Sequence, residues 1–220
     1  MKPVALIIGA SRGMGRQIAI DLAQNGYTVV LSSKTTSVDP NILYQNDKFT
    51  PPDPNSREST IHTVCAEITS LSPSYTATPI SVDVRSPASI QSLIDKTVSI
   101  HRRIDVLIYN AGAIHWGTVS STPLKRYNLL QQVNPDGLYA TIQSCLPHFE
   151  NQNWKAKVVV VCPPIYQRFF RGKVAYSIGK VGMSVLVKGL GMEWEEEGKK
   201  DMSICGIWPA SVGRFHLIER

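Results

Sequence analysis

The feature that most constrains this chain is its beginning. Val4-Ala5-Leu6-Ile7-Ile8 is an unbroken apolar run, Gly9, Gly13 and Gly15 follow it, and a helix-period segment runs from about Met14 to Asn25. A strand that is apolar at every position is buried on both faces, which requires a parallel sheet covered by helices on each side. Glycine at the strand-to-helix turn lets the backbone bend tightly and approach a pyrophosphate with no Cβ in the way. The helix N-terminus then offers free N–H groups and a partial positive charge to the anion. A glycine-rich turn with no ligand is the competing reading of the same residues.

The remaining chain repeats the alternation. Strands are expected at Tyr27–Ser32, Ala77–Val84, Val106–Tyr109, Val158–Val161 and Met202–Trp208. Helices are expected from Ser59 or Thr60 to Leu71, from Ser86-Pro87 to Arg103, over Leu124–Phe149 and over Ala175–Glu197. Strands separated by crossover helices predict an α/β fold, a Rossmann-like doubly wound parallel sheet in three layers. One domain is expected over residues 1–210, with a long surface loop at 35–58 marked by Pro40, Pro51, Pro52 and Pro54. Residues 211–220 read as an irregular tail, so the sheet is expected to stop after its sixth strand and leave that strand as an edge.

Composition narrows the partners. With 220 residues, 43% of them hydrophobic, the chain can bury one good core. The net charge of +6 comes from scattered Lys and Arg with no basic run, so no nucleic-acid partner is expected. Cys65, Cys145, Cys162 and Cys205 show neither a C-x-x-C pair nor metal-ligand spacing, so no metal site is expected. Cys162 and Cys205 lie in apolar strand-like runs and are expected as small buried hydrophobes in a reducing compartment. No apolar stretch approaches ~18 residues and the first strand starts near Met1, which points to a cytoplasmic protein with no leader and no membrane span.

The spacing G-x-x-x-G-x-G at Gly9, Gly13 and Gly15 is joined by three further stations in order. Asn110-Ala111-Gly112 closes the fourth strand, Asn134 stands in Val133-Asn134-Pro135-Asp136-Gly137, and Tyr176-Ser177-Ile178-Gly179-Lys180 reads Y-x-x-x-K. This set resembles the short-chain dehydrogenase/reductase superfamily. The resemblance implies hydride transfer between a nicotinamide and a small carbonyl or alcohol substrate, with Asn134, Tyr176 and Lys180 as catalytic residues. It implies cofactor contacts from Gly9, Ser11, Arg12, Gly13, Met14, Gly15, Ser33, Lys34, Asp83, Val84, Asn110, Ala111, Gly112, Tyr176, Lys180 and Pro209. Tyr176 and Lys180 stand i, i+4 on one helix face. An unperturbed tyrosine has pKa ~10, and a neighbouring ammonium favours its phenolate.

The end of the second strand reads Ser32-Ser33-Lys34, with no carboxylate to repel a 2′-phosphate, and Arg12 lies in the glycine turn. NADP(H) is therefore favoured over NAD(H), against the alternative that both cations are solvated surface charges. One departure stands out. The family's catalytic serine falls thirteen residues before the tyrosine, and that position here is Pro163. Proline offers neither a hydroxyl nor an N–H, and an oxyanion-type donor is commonly worth ~3 kcal/mol. Cys162-Pro163-Pro164, Ser32-Ser33-Lys34-Thr35 and Trp208-Pro209-Ala210 resemble the hydroxysteroid dehydrogenase-like group, which carries a Pro-Pro pair there. Two readings stand: an NADP(H)-dependent oxidoreductase, or a nucleotide-binding chain that is catalytically weak or inactive. Relatives pair subunits through helices matching Leu124–Phe149 and Ala175–Glu197, so a homodimer or homotetramer is expected.

Overall fold

A computed structural model describes residues 2–36, 44–45, 48–49, 53, 55–56, 58–163 and 170–209. In chain order the elements are β1 Val4–Ile8, α1 Gly13–Gln24, β2 Thr28–Ser33, β3 Tyr44–Gln45, β4 Lys48–Phe49, α2 Ile61–Leu71 and β5 Thr76–Ser81. They continue with α3 Pro87–His101, β6 Val106–Tyr109, α4 Leu124–Gln131, a π-helical turn Gln132–Asp136 and α5 Gly137–Asn151. The last are β7 Lys157–Val161, α6 Val174–Glu196 and β8 Ser203–Ile207. β3 and β4 form a small antiparallel hairpin, and the other six strands form one parallel sheet in the order β5-β2-β1-β6-β7-β8.

Burial on both faces puts β1 in the middle. Leu6 and Ile8 pack with Ile90, Leu93, Leu138 and Phe149 of α3 and α5, whereas Ala5 and Ile7 pack with Ala19, Ile20, Ile61 and Ile68 of α1 and α2. Successive side chains alternate between faces, so one apolar strand feeds both helical layers. The result is three layers, α/β/α. The chain runs outward from β1 through β2 to β5, then returns to β6 on the other side. That reversal opens a crevice at the carboxyl ends of β1, β2 and β6, where open α/β sheets bind ligands. Register brings Ile8 opposite both Ser32 and Tyr109, so Gly9 and Asn110 leave the sheet side by side, next to Ser33 at the end of β2.

Three expectations need correction. The helix expected over Leu124–Phe149 is interrupted by the π-helical turn, which contains Pro135. Proline has no N–H for the α-helical bond, and its ring collides with the carbonyl four residues back, so the backbone widens there. Tyr109, at the end of β6, donates its hydroxyl to the Val133 carbonyl at 2.7 Å and anchors the widened turn. Cys205 is exposed, not buried. It lies on β8, an edge strand of the sheet among the described residues, where Ile204 packs toward α6 and Cys205 points to the opposite face. The strand expected over Ala77–Val84 is β5 and ends at Ser81, so Asp83 and Val84 lie beyond it on a turn.

Much of the 35–58 loop, Pro164 and the tail from residue 210 lie outside the described residues. The base of the loop is held firmly. Ile61 N–H donates to the Thr35 carbonyl, and Thr60 caps α2 in a reciprocal capping box with Thr63. Ser59 is buried and donates its hydroxyl to the Ser11 carbonyl at 2.5 Å, tying the start of α2 to the glycine turn. No helix among the described residues is long and apolar enough to cross a membrane.

Candidate nucleotide-binding and active site

The glycine turn is tight because three strands crowd it. Gly9 and Ala10 N–H groups both donate to the Ser32 carbonyl, at 2.7 and 3.1 Å. Gly9 has φ +89°, and a Cβ there would lie 2.6 Å from the Ala111 nitrogen. A Cβ on Gly15 would overlap the Gly9 carbonyl oxygen and lie 2.6 Å from Asn110 Nδ2. Asn110 donates from Nδ2 to that same carbonyl at 2.8 Å, so its side chain braces the turn. Gly13 and Met14 open α1, whose N-cap residue Arg12 makes no side-chain cap. A helix start without a cap from its N-cap side chain suits an anionic acceptor.

Beside the turn lies a cleft of about 350 Å³. It gathers ten of the sequence-derived candidates: Gly9, Ser11, Arg12, Ser33, Lys34, Asp83, Val84, Asn110, Ala111 and Gly112. Ile8, Thr35, Val82 and Val133 complete the lining, while Gly13, Met14, Gly15, Tyr176, Lys180 and Pro209 do not line it, nor does Asn134. Arg12 donates from Nη2 to Thr35 Oγ1 at 3.3 Å. Lys34 Nζ stands 3.3 Å from Asp83 Oδ2. Asp83 is gripped by a residue that sequence reading missed. Arg85 donates Nε to Asp83 Oδ1 at 2.8 Å, its Nη2 to Oδ2, and its backbone N–H to Oδ1 at 3.1 Å. These bonds, Arg85 foremost and Lys34 after it, hold the carboxyl well below the usual carboxylate range. The available sequence signal was the Asp-x-Arg spacing just past a strand, where an aspartate commonly turns back on the second residue. A second cleft, of about 750 Å³, is lined by Arg85, by Pro123 and Leu124 at the start of α4, and by Gln132 just past its end.

Lys180 is buried and donates from Nζ to the Val161 carbonyl at 2.9 Å. Burial lowers its pKa to about 8, because an ammonium is poorly solvated there. Burial likewise raises the Tyr176 phenol to about 12. In the protein by itself, desolvation thus moves Tyr176 opposite to the phenolate-favouring effect expected from its lysine neighbour. Asn134, fully buried in the π-helical turn, accepts from Ala113 N–H at Oδ1 and donates from Nδ2 to the Ala113 carbonyl, both at 3.0 Å. Its amide therefore holds the loop after β6.

Asn134 and Lys180 converge at Gly112. A Cβ there would lie 3.4 Å from Asn134 Oδ1 and 3.5 Å from Lys180 Nζ. The convergence depends on close packing of α6: Gly179 faces Gln131 and Pro135, and Gln131 donates from Nε2 to the Ala175 carbonyl at 3.0 Å. Pro163 is buried just past β7, and Cys162 before it packs its sulfur against Gly206 of β8 as a core residue.

Known proteins share this architecture. The sequence profile described as short chain dehydrogenase matches residues 55–213. Hydroxysteroid dehydrogenase-like protein 2 of Mus musculus is 34% identical over 208 residues, which are 94% of this chain and 38% of that protein. The Homo sapiens protein of the same name is 32% identical over 208 residues, again 94% of this chain, and 44% of its own length. The chain thus spans less than half the length of these curated relatives. Among solved structures, a short chain dehydrogenase from Mycobacterium thermoresistibile matches with TM-score 0.74 and 28% identity, covering 94% of this chain and 67% of that one. An alcohol dehydrogenase from Thermococcus sibiricus, solved with 5-hydroxy-NADP, shares the fold at TM-score 0.76 and 21% identity, covering 95% and 76%. With its six parallel strands, its glycine turn and a family profile matching most of its length, the chain belongs to the short-chain dehydrogenase family and resembles the hydroxysteroid dehydrogenase-like group within it.

Proposed function

We propose that this chain is an NADP(H)-dependent oxidoreductase that moves hydride between a nicotinamide and a small carbonyl or alcohol. The observation that carries the reading is the position of Gly112, which lines the cleft and stands next to Asn134 and the buried Lys180 ammonium. That adjacency supports reading the dinucleotide cleft and the Lys180 end of Tyr-x-x-x-Lys as parts of one site. Gly9, Ser11, Gly13, Met14 and Gly15, with the start of α1, hold the pyrophosphate. Arg12 and Lys34 take the 2′-phosphate, Asp83 and Val84 the adenine side, and Asn110, Ala111, Gly112 and Pro209 the nicotinamide side. The nicotinamide, when bound, supplies or accepts the hydride. Tyr176 gives the proton to the substrate oxygen, and Lys180 supports it with its charge and holds the ribose. Asn134 keeps the loop at Ala113 in place.

One observation favours a second reading, a nucleotide-binding chain with weak catalysis: Pro163 puts no hydroxyl where the family's serine would meet the substrate oxygen. Cofactor binding tests both readings at their common root. Two cations at a 2′-phosphate should make the dissociation constant for NADPH about tenfold or more below that for NADH, and Lys34→Asp should narrow or reverse the difference. Equal constants in the unmodified protein would overturn the NADP(H) assignment.

The same reading pairs two copies through α6. Its Ile178, Val185 and Met192 are exposed at seven-residue intervals, in line along one helix face, and Tyr139 of α5 is exposed as well. An isologous contact needs only such a self-complementary strip. Light scattering at micromolar concentration should give a dimer or tetramer, and a monomer mass would refute the pairing.

A further inference from the structure

We infer that Arg85 sets the preference for a 2′-phosphorylated dinucleotide indirectly, by occupying the Asp83 carboxylate so that Lys34 can leave it for the phosphate. The inference rests on the NADP(H) reading above and assigns a positioning residue to it. Among the described residues lining the cleft, Asp83 is the one carboxylate, and it stands within 3.3 Å of the lysine that would bind the phosphate. Unattended, it would both repel a 2′-phosphate and hold Lys34 to itself.

Arg85 prevents this through geometry. Its guanidinium takes both carboxylate oxygens, Nε on Oδ1 and Nη2 on Oδ2, in the two-pronged arrangement that makes the strongest side-chain ion pairs. Asp83 is further fixed by the Arg85 backbone N–H on Oδ1, and its own N–H donates to Ser89 Oγ at 3.0 Å. Lys34 is held far less. It makes a single contact of 3.3 Å to Oδ2, an oxygen already engaged by Arg85, and its side chain is 69% exposed against 29% for Asp83. An exposed single contact of this kind contributes little. Lys34 can therefore turn to an arriving phosphate while Arg85 keeps the carboxylate neutralised. Without Arg85, Lys34 becomes the partner of Asp83, and the cleft presents Arg12 alone to the phosphate.

The test is the ratio of NADH to NADPH dissociation constants, measured on the same preparation of the full chain so that any loss of folded protein cancels. Arg85→Met should lower this ratio about tenfold. The double variant Arg85→Met/Asp83→Asn should return it to within about threefold of the unmodified protein, since no carboxylate then competes for Lys34. Asn at position 83 can still accept the Arg85 backbone N–H at its Oδ1, so the turn is preserved. An unchanged ratio in Arg85→Met overturns the inference. Failure of the double variant to recover also overturns it, because Arg85 would then bind the phosphate itself. Should Arg85→Met not fold, Arg85→Gln with and without Asp83→Asn is read by the same two outcomes. Equal constants in the unmodified protein bring down the NADP(H) reading, and this inference with it.

Discussion

Tyr176→Phe should lower NADPH-dependent reduction of any carbonyl substrate by ~10²-fold or more, the scale of general acid catalysis, while the fold and dinucleotide binding persist. The exchange removes one hydroxyl and keeps the ring, so the packing of α6 is retained. The phenol is raised to about 12, so it holds its proton throughout neutral pH and is in the right form to donate. Lys180 is the group that titrates in the working range, being lowered to about 8. Below that value it is an ammonium and stabilises the negative charge that develops on the phenol oxygen as the proton leaves. Above it the lysine is neutral and that help is lost. Reduction should therefore slow as pH rises through about 8, in a profile taken with saturating cofactor. Pro163→Ser, measured alongside, should raise the rate if the missing hydroxyl limits turnover. A measurable NADPH-dependent rate that Tyr176→Phe leaves unchanged would refute the acid assignment.

Gly9→Ala should be among the most damaging single substitutions in the chain. Two costs add at this position. The residue sits at φ +89°, where a Cβ is strained in itself, at ~1–2 kcal/mol. The new Cβ would also fall 2.6 Å from the Ala111 nitrogen and 2.8 Å from its Cα, backbone atoms that cannot rotate aside. Relieving that overlap means moving β1 and the loop after β6 apart, at a further ~1–3 kcal/mol. A loss of about 3 kcal/mol or more in urea unfolding is expected, well beyond the ~1 kcal/mol of an ordinary substitution. NADPH affinity should fall with it, because Gly9 and Ala111 both line the cleft. Gly26→Ala isolates the first cost: Gly26 has φ +87°, and an added Cβ there meets nothing within 4 Å. It should lose only ~1 kcal/mol. Equal losses in the two variants would show that the contact with Ala111 carries no energy.

The fold was legible because its strongest signals are local. Five consecutive apolar residues from Val4 to Ile8 require cover on both faces, and the β1 core shows that cover, with α3 and α5 on one side and α1 and α2 on the other. Helix ends were readable where caps are chemical: Ser86 before Pro87 starts α3, and Thr60 starts α2. The break at Pro135 was missed. Apolar periodicity continues through Leu130, Leu138 and Ile142 on either side of it, and periodicity reports the buried face, not the hydrogen-bond ladder beneath it. Cys205 was misplaced for a related reason. An apolar strand reads the same at the centre of a sheet or at its edge, and the difference lies in its neighbours.

By itself, then, the sequence determined what depends on short stretches of chain: the parallel α/β class, the glycine turn on the first helix, and which side chains carry ionisable groups. Only the tertiary structure decided how those groups meet. Asn134 spends its amide on Ala113, 21 residues away, and Lys180 reaches back 19 residues to the Val161 carbonyl. Lys34 meets Asp83 because parallel pairing of β2 with β5 brings their ends together. Arg85 claims Asp83 within the adjoining turn, yet that grip bears on Lys34 only through this strand pairing. Burial decides the charge behaviour of Tyr176 and Lys180, and burial is a property of the packed layers around a residue. A desolvation cost or an ion pair between distant positions has no local pattern, because it arises only when separate elements close on one another.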